Sequence, residues 1–251
     1  MNRSLTSRFA WKRRLNGVLN WIFPSDATTC AICGRPAFTV GASSHWPSQS
    51  ENSRLCAFCV QDLERCQVAV ERHALQVENA PDRRIDVYSG IDYDAFVRTL
   101  FRSFKYDGVI ELAPFFAHVL FACWQALDEF ACDCIVPVPT AADRIRKRGY
   151  DHVRLLAERL ARHVQLPVRP ALLRVPRGGA FTQSQTAKNA ELRRRELAGV
   201  FVPNSRRPIV GRRALLLDDV ATTGATLAAC ANALFASGAN SVIAIVAARV
   251  R

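Results

Sequence analysis

From about residue 85 onward, short apolar runs alternate with stretches in which apolar residues recur every three or four positions. Short apolar runs indicate strands, whereas the longer spacing indicates helices. The runs predict strands at 85–93, 133–139, 199–202, 214–217 and 241–248. We expect the first of these strands at an edge of the sheet.

Amphipathic or apolar segments between these runs predict helices. They cover residues 96–104, 111–130, 151–164 and 227–235. The basic stretch 144–149 is predicted as a loop, and the charged stretch 63–84 as a helical link from an N-terminal module. Alternating strands and helices predict an α/β domain with a parallel sheet over 85–251.

Two adjacent carboxylates, Asp218 and Asp219, follow the run at 214–217. Next comes the 221–226 turn, which consists of Ala221, Thr222, Thr223, Gly224, Ala225 and Thr226. The turn opens a helix, whose free N–H groups and dipole favour a bound phosphate. Carboxylates can accept hydrogen bonds from sugar hydroxyls. The pattern therefore predicts a sugar-phosphate site; the alternative is an ordinary strand–turn–helix with polar turn residues.

The cysteines form two CxxC pairs, Cys30 with Cys33 and Cys56 with Cys59, and 22 residues separate the pairs. This spacing predicts a four-thiolate structural zinc site. The alternative is a pair of redox-active dithiols, which usually requires a thioredoxin-like context that the flanking sequence lacks. The remaining cysteines lie mostly in apolar runs and are expected to be reduced core residues.

Charge adds a preference for anionic partners. The chain has 34 Lys and Arg against 22 Asp and Glu, for a net charge of +12. Such a balance favours nucleic acid or phosphorylated substrates, although many basic proteins bind neither. Clusters that could follow phosphates lie at 144–148, 193–195, 206–207 and 212–213.

The N-terminal region is predicted as three segments: a helix over 1–24, a zinc-ribbon module over 25–66 and a linker over 67–84. Basic residues interrupt the apolar positions of the first segment, so we expect no secretory signal. No apolar run is long enough to predict a membrane span. Reduced thiols and structural zinc together predict a cytoplasmic protein.

Four blocks of this sequence resemble the ComF family, the competence-associated branch of the phosphoribosyltransferase-like proteins. They lie at 30–59, 104–108, 136–150 and 185–201, followed by the 221–226 turn. The resemblance implies a type I phosphoribosyltransferase-like fold, with a parallel sheet, helices on both faces and a small N-terminal zinc ribbon.

The resemblance also implies a ligand, phosphoribosyl pyrophosphate (PRPP), bound together with Mg²⁺. Asp218 and Asp219 would hold its ribose hydroxyls, and the 221–226 turn would cradle its 5-phosphate. Arg144 and Arg148 would face the pyrophosphate as charge donors.

Three further residues complete the expected site. Lys105 is a candidate for the same role as the two arginines; the alternative is a solvated lysine at a helix end. Gln185 and Arg193 match positions of the flexible loop that covers the site in the family. The sequence departs from the family pattern at Asp151-His152, where Asn-Gln is common, at Glu196, where Asn is common, and at Lys188, where Leu is usual.

Two functions follow as hypotheses. The first is transfer of phosphoribosyl to an unknown nitrogenous acceptor with release of pyrophosphate, in DNA uptake or nucleotide salvage. The second is a non-catalytic accessory protein that binds PRPP or a nucleotide together with single-stranded DNA or a competence-protein partner. The sequence predicts neither the acceptor nor the oligomeric state.

Overall fold

The computed structural model describes residues 29–35, 55–77, 83–127, 132–175, 197 and 199–251. Its helices are α1 (Ala57–Arg65), α2 (Ala95–Tyr106), α3 (Ala113–Gln125), α4 (Ala142–Arg148), α5 (His152–Val164) and α6 (Ala225–Ala236), with a 3₁₀ turn at Ile110–Leu112. Its strands are β1 (Glu71–Gln76), β2 (Arg84–Asp92), β3 (Cys134–Pro137), β4 (Leu172–Arg174), β5 (Phe201–Pro203), β6 (Arg213–Ala221) and β7 (Ser241–Arg249).

The central sheet has the strand order β1-β2-β7-β6-β3. Strands β2, β7, β6 and β3 are parallel, and β1 runs antiparallel to β2. The short strands β4 and β5 form a separate antiparallel pair. The predicted α/β fold with a mostly parallel sheet is therefore confirmed.

The connections between strands place helices on both faces of the sheet. From β2 the chain passes through α2 and α3 to β3, and then through α5 to Val168, which bridges Ile135. The connection from β6 through α6 to β7 runs in the opposite direction along the sheet. Because crossovers between parallel strands are right-handed, this reversal puts α6 on the face opposite α3 and α5.

The core lies between the sheet and these helices. Strands β6 and β7 are buried along most of their lengths, as their apolar sequences require. Phe101 of α2 stacks on Phe116 of α3 with ring centroids 4.1 Å apart, and Phe104 packs against the same ring at 5.2 Å. These aromatic contacts fix the C-terminal end of α2 and thereby the position of Lys105.

Capping residues fix where the helices begin. The Asp94 side chain accepts a hydrogen bond from the backbone N–H of Val97 at 2.7 Å, which caps α2. Asp151 caps α5 by accepting from the backbone N–H of Arg154 at 3.2 Å. Asp151 also accepts from the hydroxyl of Thr140 at 2.9 Å, so the loop after β3 is tied to the start of α5.

The basic segment predicted as a loop is instead helix α4. Asp143 in its first turn and three basic residues in its last turn complement the helix dipole. Gly149, at φ 90°, ends the helix in the left-handed conformation. These signals outweigh the density of charge that suggested a loop.

The predicted helical link over 63–84 is also wrong in its second half. Residues 71–76 form β1, whose side chains alternate between half-buried and exposed. Pairing with β1 places β2 inside the sheet and not at its edge. A polar edge strand has a weak sequence signal, because only one face packs against the protein.

Smaller differences concern the bounds of elements. The helix predicted at 111–130 follows a 3₁₀ turn and occupies Ala113–Gln125. The strand expected at 199–202 is β5, which belongs to the β4–β5 pair and not to the parallel sheet. Strand β6 continues beyond 217 and includes both acids.

No helix in the described residues is long and apolar enough to cross a membrane. The helix predicted over 1–24 lies outside the described residues, as does the middle of the predicted cysteine module. The domain boundaries proposed from the sequence therefore stay predictions.

Candidate functional site

The two acids lie where the direction of the strand connections reverses. Strand β3 ends at Pro137, which is paired with Leu217, and Val138 donates its backbone N–H to the Leu217 carbonyl at 2.9 Å. The carboxyl ends of β3 and β6 are therefore adjacent. In open α/β sheets, ligands bind outside the carboxyl ends of the strands at such a reversal.

Successive residues of a strand point to opposite faces of the sheet, and this separates the surroundings of the two acids. Asp219 faces α2 and α5, where its Oδ2 lies 2.6 Å from Lys105 Nζ and 2.7 Å from His152 Nε2. The Lys105 contact is an ion pair, and both contacts are short, although neither has the angles of a directed hydrogen bond. Burial alone would raise the pKa of Asp219, but the Lys105 charge and the His152 contact hold it well below its usual value.

Asp218 faces the other side of the sheet, toward β4 and α6. Burial, and then the neighbouring charge of Asp219, raise the pKa of its carboxyl to about 8. The backbone N–H of Asp219, which donates to Asp218 Oδ1 at 2.9 Å, and the charges of Lys105 and Arg174 act in the opposite direction. The pair thus combines one firmly ionised carboxylate with one that takes up a proton readily.

The 221–226 turn forms the entry to α6, as predicted. Gly224 is the N-cap of the helix, at φ 76°, and provides no capping side chain. The Thr223 hydroxyl accepts from the backbone N–H of Ala225 at 3.4 Å. The positive φ of Gly224 favours glycine, and an added Cβ would lie 2.8 Å from Leu75 Cδ1, so that the Leu75 side chain would have to shift.

Helix α4 brings the predicted arginines to the same end of the sheet. Arg148 donates from Nε to the Lys105 carbonyl at 2.5 Å, and its Nη1 contacts His152 Nδ1. Its guanidinium also lies over the Tyr106 ring, 5.7 Å from the centroid. Arg148 therefore holds α2, α4 and α5 together. Arg144 is exposed, and its positive charge adds to the effect of burial in lowering the pKa of Arg174.

Two residues of this site are absent from the sequence-based list. His152 lies between Arg148 and Asp219, and the only sequence signal was the departure from the family pattern at Asp151-His152. Arg174 lies over the Phe201 ring at 5.4 Å, and burial lowers the pKa of its guanidinium. No local motif marks it, because β4 brings it to Asp218 through the tertiary fold.

The four predicted metal ligands are together at the other candidate site. The Sγ atoms of Cys30, Cys33, Cys56 and Cys59 all lie within 4.8 Å of one another. The sulfurs of a tetrahedral zinc–thiolate site are about 3.8 Å apart, given Zn–S distances of about 2.3 Å. The cluster can therefore bind a structural metal such as zinc, and all nine cysteines are free thiols.

Two backbone turns shape this cysteine cluster. Gly34, at φ 70°, donates its N–H to the Cys30 carbonyl at 2.8 Å, which closes the first CxxC turn. Cys56 is the N-cap of α1, and its Sγ accepts from the backbone N–H of Cys59 at 3.5 Å. Burial raises the pKa of the Cys30 thiol, but N–H groups of Cys56, Cys33 and Ile32 outweigh it and lower the pKa to about 7. N–H groups directed at sulfur suit thiolate ligands.

Curated relatives of this chain carry names that refer to DNA use and competence. DNA utilization protein YhgH of Escherichia coli O157:H7 is 27% identical over 222 residues, which cover 87% of this chain and 82% of the relative. The protein of the same name from Shigella flexneri is 26% identical over the same shares. Competence protein F of Haemophilus influenzae is 34% identical over 96 residues, 38% of this chain and 41% of that protein. The predicted resemblance to the ComF family is confirmed.

No protein-family model matches the chain. The ComF-like residues Gln185 and Arg193 lie outside the described residues, as do Lys188 and Glu196, at which the sequence departs from the family pattern. Two of the other ComF-like blocks lie beside the acidic pair: the 104–108 block contributes Lys105, and the 136–150 block contributes Arg148, which contacts Lys105 and His152.

Proposed function

We propose that the carboxyl end of β6 binds PRPP with Mg²⁺ and transfers its phosphoribosyl group to a nitrogenous acceptor. The observation that carries this proposal is the burial of two adjacent carboxylates, Asp218 and Asp219, directly before a glycine-capped helix N-terminus at the reversal of the sheet. This arrangement offers acceptors for sugar hydroxyls beside donors for a phosphate. The type I phosphoribosyltransferase-like class of the fold is part of the same proposal.

Residues around the site have distinct roles in this proposal. The acidic pair accepts hydrogen bonds from the ribose hydroxyls, and the 221–226 turn donates to the 5-phosphate. Arg144, Arg148 and Lys105 stabilise the negative charge that develops on the pyrophosphate. Mg²⁺ supplies further neutralisation of that charge.

The transfer needs no redox partner. The C1–O bond to pyrophosphate breaks with its electron pair remaining on oxygen, and a nitrogen lone pair of the acceptor forms the new bond to C1. The acceptor then loses to solvent water the proton carried by that nitrogen. Because the described residues include no evident base for a defined acceptor, positioning and charge stabilisation would dominate catalysis.

Calorimetric titration of magnesium–PRPP into the full chain tests the site. We expect binding by the parent protein and no detectable binding by the Asp218→Asn/Asp219→Asn double variant. Asp62→Asn, at an exposed position of α1, is the control and should bind as the parent does. Unchanged affinity in the double variant would overturn the site assignment. If only the parent binds, measurement of pyrophosphate release with candidate bases tests turnover.

A second candidate function is binding of single-stranded DNA as an accessory protein of DNA uptake. It is favoured by the names of the relatives and by the exposed basic residues of α4, including Arg146 and Lys147. We expect fluorescence anisotropy with a labelled oligonucleotide to give an affinity that falls steeply with salt. The Arg146→Ala/Lys147→Ala variant should weaken DNA binding while leaving PRPP binding unchanged. Affinity that is absent or insensitive to salt would argue against this function.

We also propose that the metal of the cysteine cluster is zinc and that the protein is cytoplasmic. Four thiolates at these separations fit a closed, structural zinc site. Metal analysis of the purified protein should give one zinc per chain. A substoichiometric value that zinc addition does not raise would overturn the assignment.

A further inference from the structure

The geometry points to His152 as a positioning residue that fixes the orientation of the Asp219 carboxylate for ligand binding. This inference rests on the proposed function, since it assigns a task to a residue that contacts Asp219 and not the ligand. It goes beyond the predicted site, which contains neither a histidine nor any residue of α5.

His152 is held on several sides. It is the first residue of α5, directly after the N-cap Asp151, which the Thr140 hydroxyl ties to the loop after β3. The residue is only 6% exposed, and the Phe104 ring meets the imidazole edge-on with centroids 6.3 Å apart. Because His152 begins α5, contacts Asp219 of β6 and packs against Phe104, its ring has little freedom to rotate.

The two neighbours of the ring define its tautomer. A guanidinium can only donate, so the contact of Arg148 with His152 Nδ1 requires that Nδ1 accepts. The proton of the neutral ring therefore resides on Nε2, which lies 2.7 Å from Asp219 Oδ2. This assignment follows from the hydrogen-bonding capacity of the partners.

Lys105 alone would not orient the carboxylate in the same way. Its ammonium lies 2.6 Å from the same oxygen, but it ends a flexible four-carbon chain whose side chain is 20% exposed. The rigid ring of His152 restricts where Oδ2 can lie. Because both contacts fall on Oδ2, Oδ1 is the oxygen that remains for a ribose hydroxyl in the proposed site.

Two substitutions separate positioning from packing. His152→Gln keeps one donor and one acceptor at this position, whereas His152→Leu keeps apolar volume and neither polar group. His118→Leu, at an exposed position of α3, is the matched control. Urea unfolding of all variants shows whether any loss of affinity reflects a loss of folding.

We expect His152→Leu to weaken magnesium–PRPP binding by about 10- to 100-fold, because the charged carboxylate loses its rigid polar partner. His152→Gln should restore affinity to within about threefold of the parent. Affinity in His152→Leu equal to that of the parent would overturn the positioning role, as would equal losses in both variants. Absence of binding in the parent itself would instead overturn the proposed function, and the positioning role with it.

A measurement without ligand tests the geometry separately. The chain has five histidines, so the ring nitrogens of His152 can be assigned in ¹⁵N spectra as the signals lost in His152→Gln. We expect a neutral ring protonated at Nε2. In Arg148→Met the donor to Nδ1 is gone, and the signals should shift toward a mixture of tautomers. A ring protonated at Nδ1 in the parent would contradict the inferred orientation, whatever the outcome of the titration.

Discussion

The cysteine cluster and the acidic end of the sheet are built in opposite ways. Each cysteine pair is brought together by one local turn, and only 22 residues separate the two pairs along the chain. The acidic pair is local too, but its partners Lys105 and His152 lie 114 and 67 positions earlier, on different helices. A ligand set can therefore be inferred from spacing, whereas the electrostatic state of an acid depends on the whole fold.

This difference predicts where substitutions act. Loss of a residue from the cluster should affect metal binding directly and the sheet hardly at all. Loss of a distant partner at the acidic end should change the stability of the α/β domain, because a buried carboxylate would then lack compensation.

The largest effect is expected from removing a metal ligand. Cys56→Ser should lower zinc affinity by more than about 100-fold, since even indirect partners of metal ligands are worth 10- to 100-fold. Competition with a chromogenic chelator measures this change. Cys66→Ser, immediately after α1, is the control, because burial raises the pKa of that thiol to about 11 and its sulfur is not part of the cluster. Similar zinc affinities in the two variants would contradict the assigned ligand set.

Removing the cation beside Asp219 should have the next largest effect. Lys105→Met leaves the carboxylate with His152 as its close partner, and we expect a loss of about 2 kcal/mol in the free energy of unfolding at pH 7. Urea denaturation measures the change. Lys147→Met, on the exposed side of α4, should leave stability within about 0.5 kcal/mol of the parent. If the two variants are equally stable, the ion pair at Asp219 does not exist in solution.

Asp218→Asn should have a smaller effect of opposite sign, and one that depends on pH. The pKa of Asp218 is raised to about 8 from an ordinary 3.8 by burial and by the charge of Asp219. Between these values the folded state binds a proton that the unfolded chain has lost, so this carboxyl lowers stability as pH rises through that window. We expect the variant to be more stable than the parent by at least about 1 kcal/mol near pH 8.

Thermal unfolding between pH 4 and pH 8 measures this trend. The advantage of Asp218→Asn should shrink toward pH 4, because near the ordinary pKa of 3.8 the carboxyl begins to bind a proton in the unfolded chain as well. Asp62→Asn is the control at an exposed position. A difference that is the same at every pH would mean that Asp218 is not buried as the structure has it.

The smallest effect is expected on the surface of α4. Arg146→Ala should change stability by less than about 0.5 kcal/mol, because the residue is exposed. Arg148→Ala should cost about 1–2 kcal/mol, since it removes the hydrogen bond to the Lys105 carbonyl and the contact with His152. Chemical denaturation of both variants compares them directly; equal costs would show that Arg148 does not join the three helices.

The sequence predicted most of what depends on local pattern. The apolar run before Asp218, the turn at Gly224, helix α6 and the four cysteines all have short-range signals, and the structure has them. Strand β1 was missed because an edge strand buries only one side, so its charged residues suggested a helix. Helix α4 was missed although Asp143 and Gly149 marked both of its ends.

The surroundings of the acids could not be predicted from the same patterns. Nothing near Asp219 in the sequence indicates that Lys105 and His152 converge on it, because that convergence depends on how α2 packs on α3 and where α5 begins. The same holds for Arg174, which β4 brings toward Asp218. Pattern identifies the strand that carries the acids, and only the packed fold defines which of them stays ionised.

The alternation of side chains along β6 restricts insertions and deletions in that strand more than in the segment between β4 and β5. An insertion or deletion of one codon between Ala214 and Leu217 would turn every later side chain of the strand to the opposite face. Asp218 would then face Lys105 and His152, and Asp219 would face Arg174. A codon gained or lost between β4 and β5 leaves that register untouched. Descendants of this chain should therefore differ in length between these two strands, while β6 keeps the same number of residues.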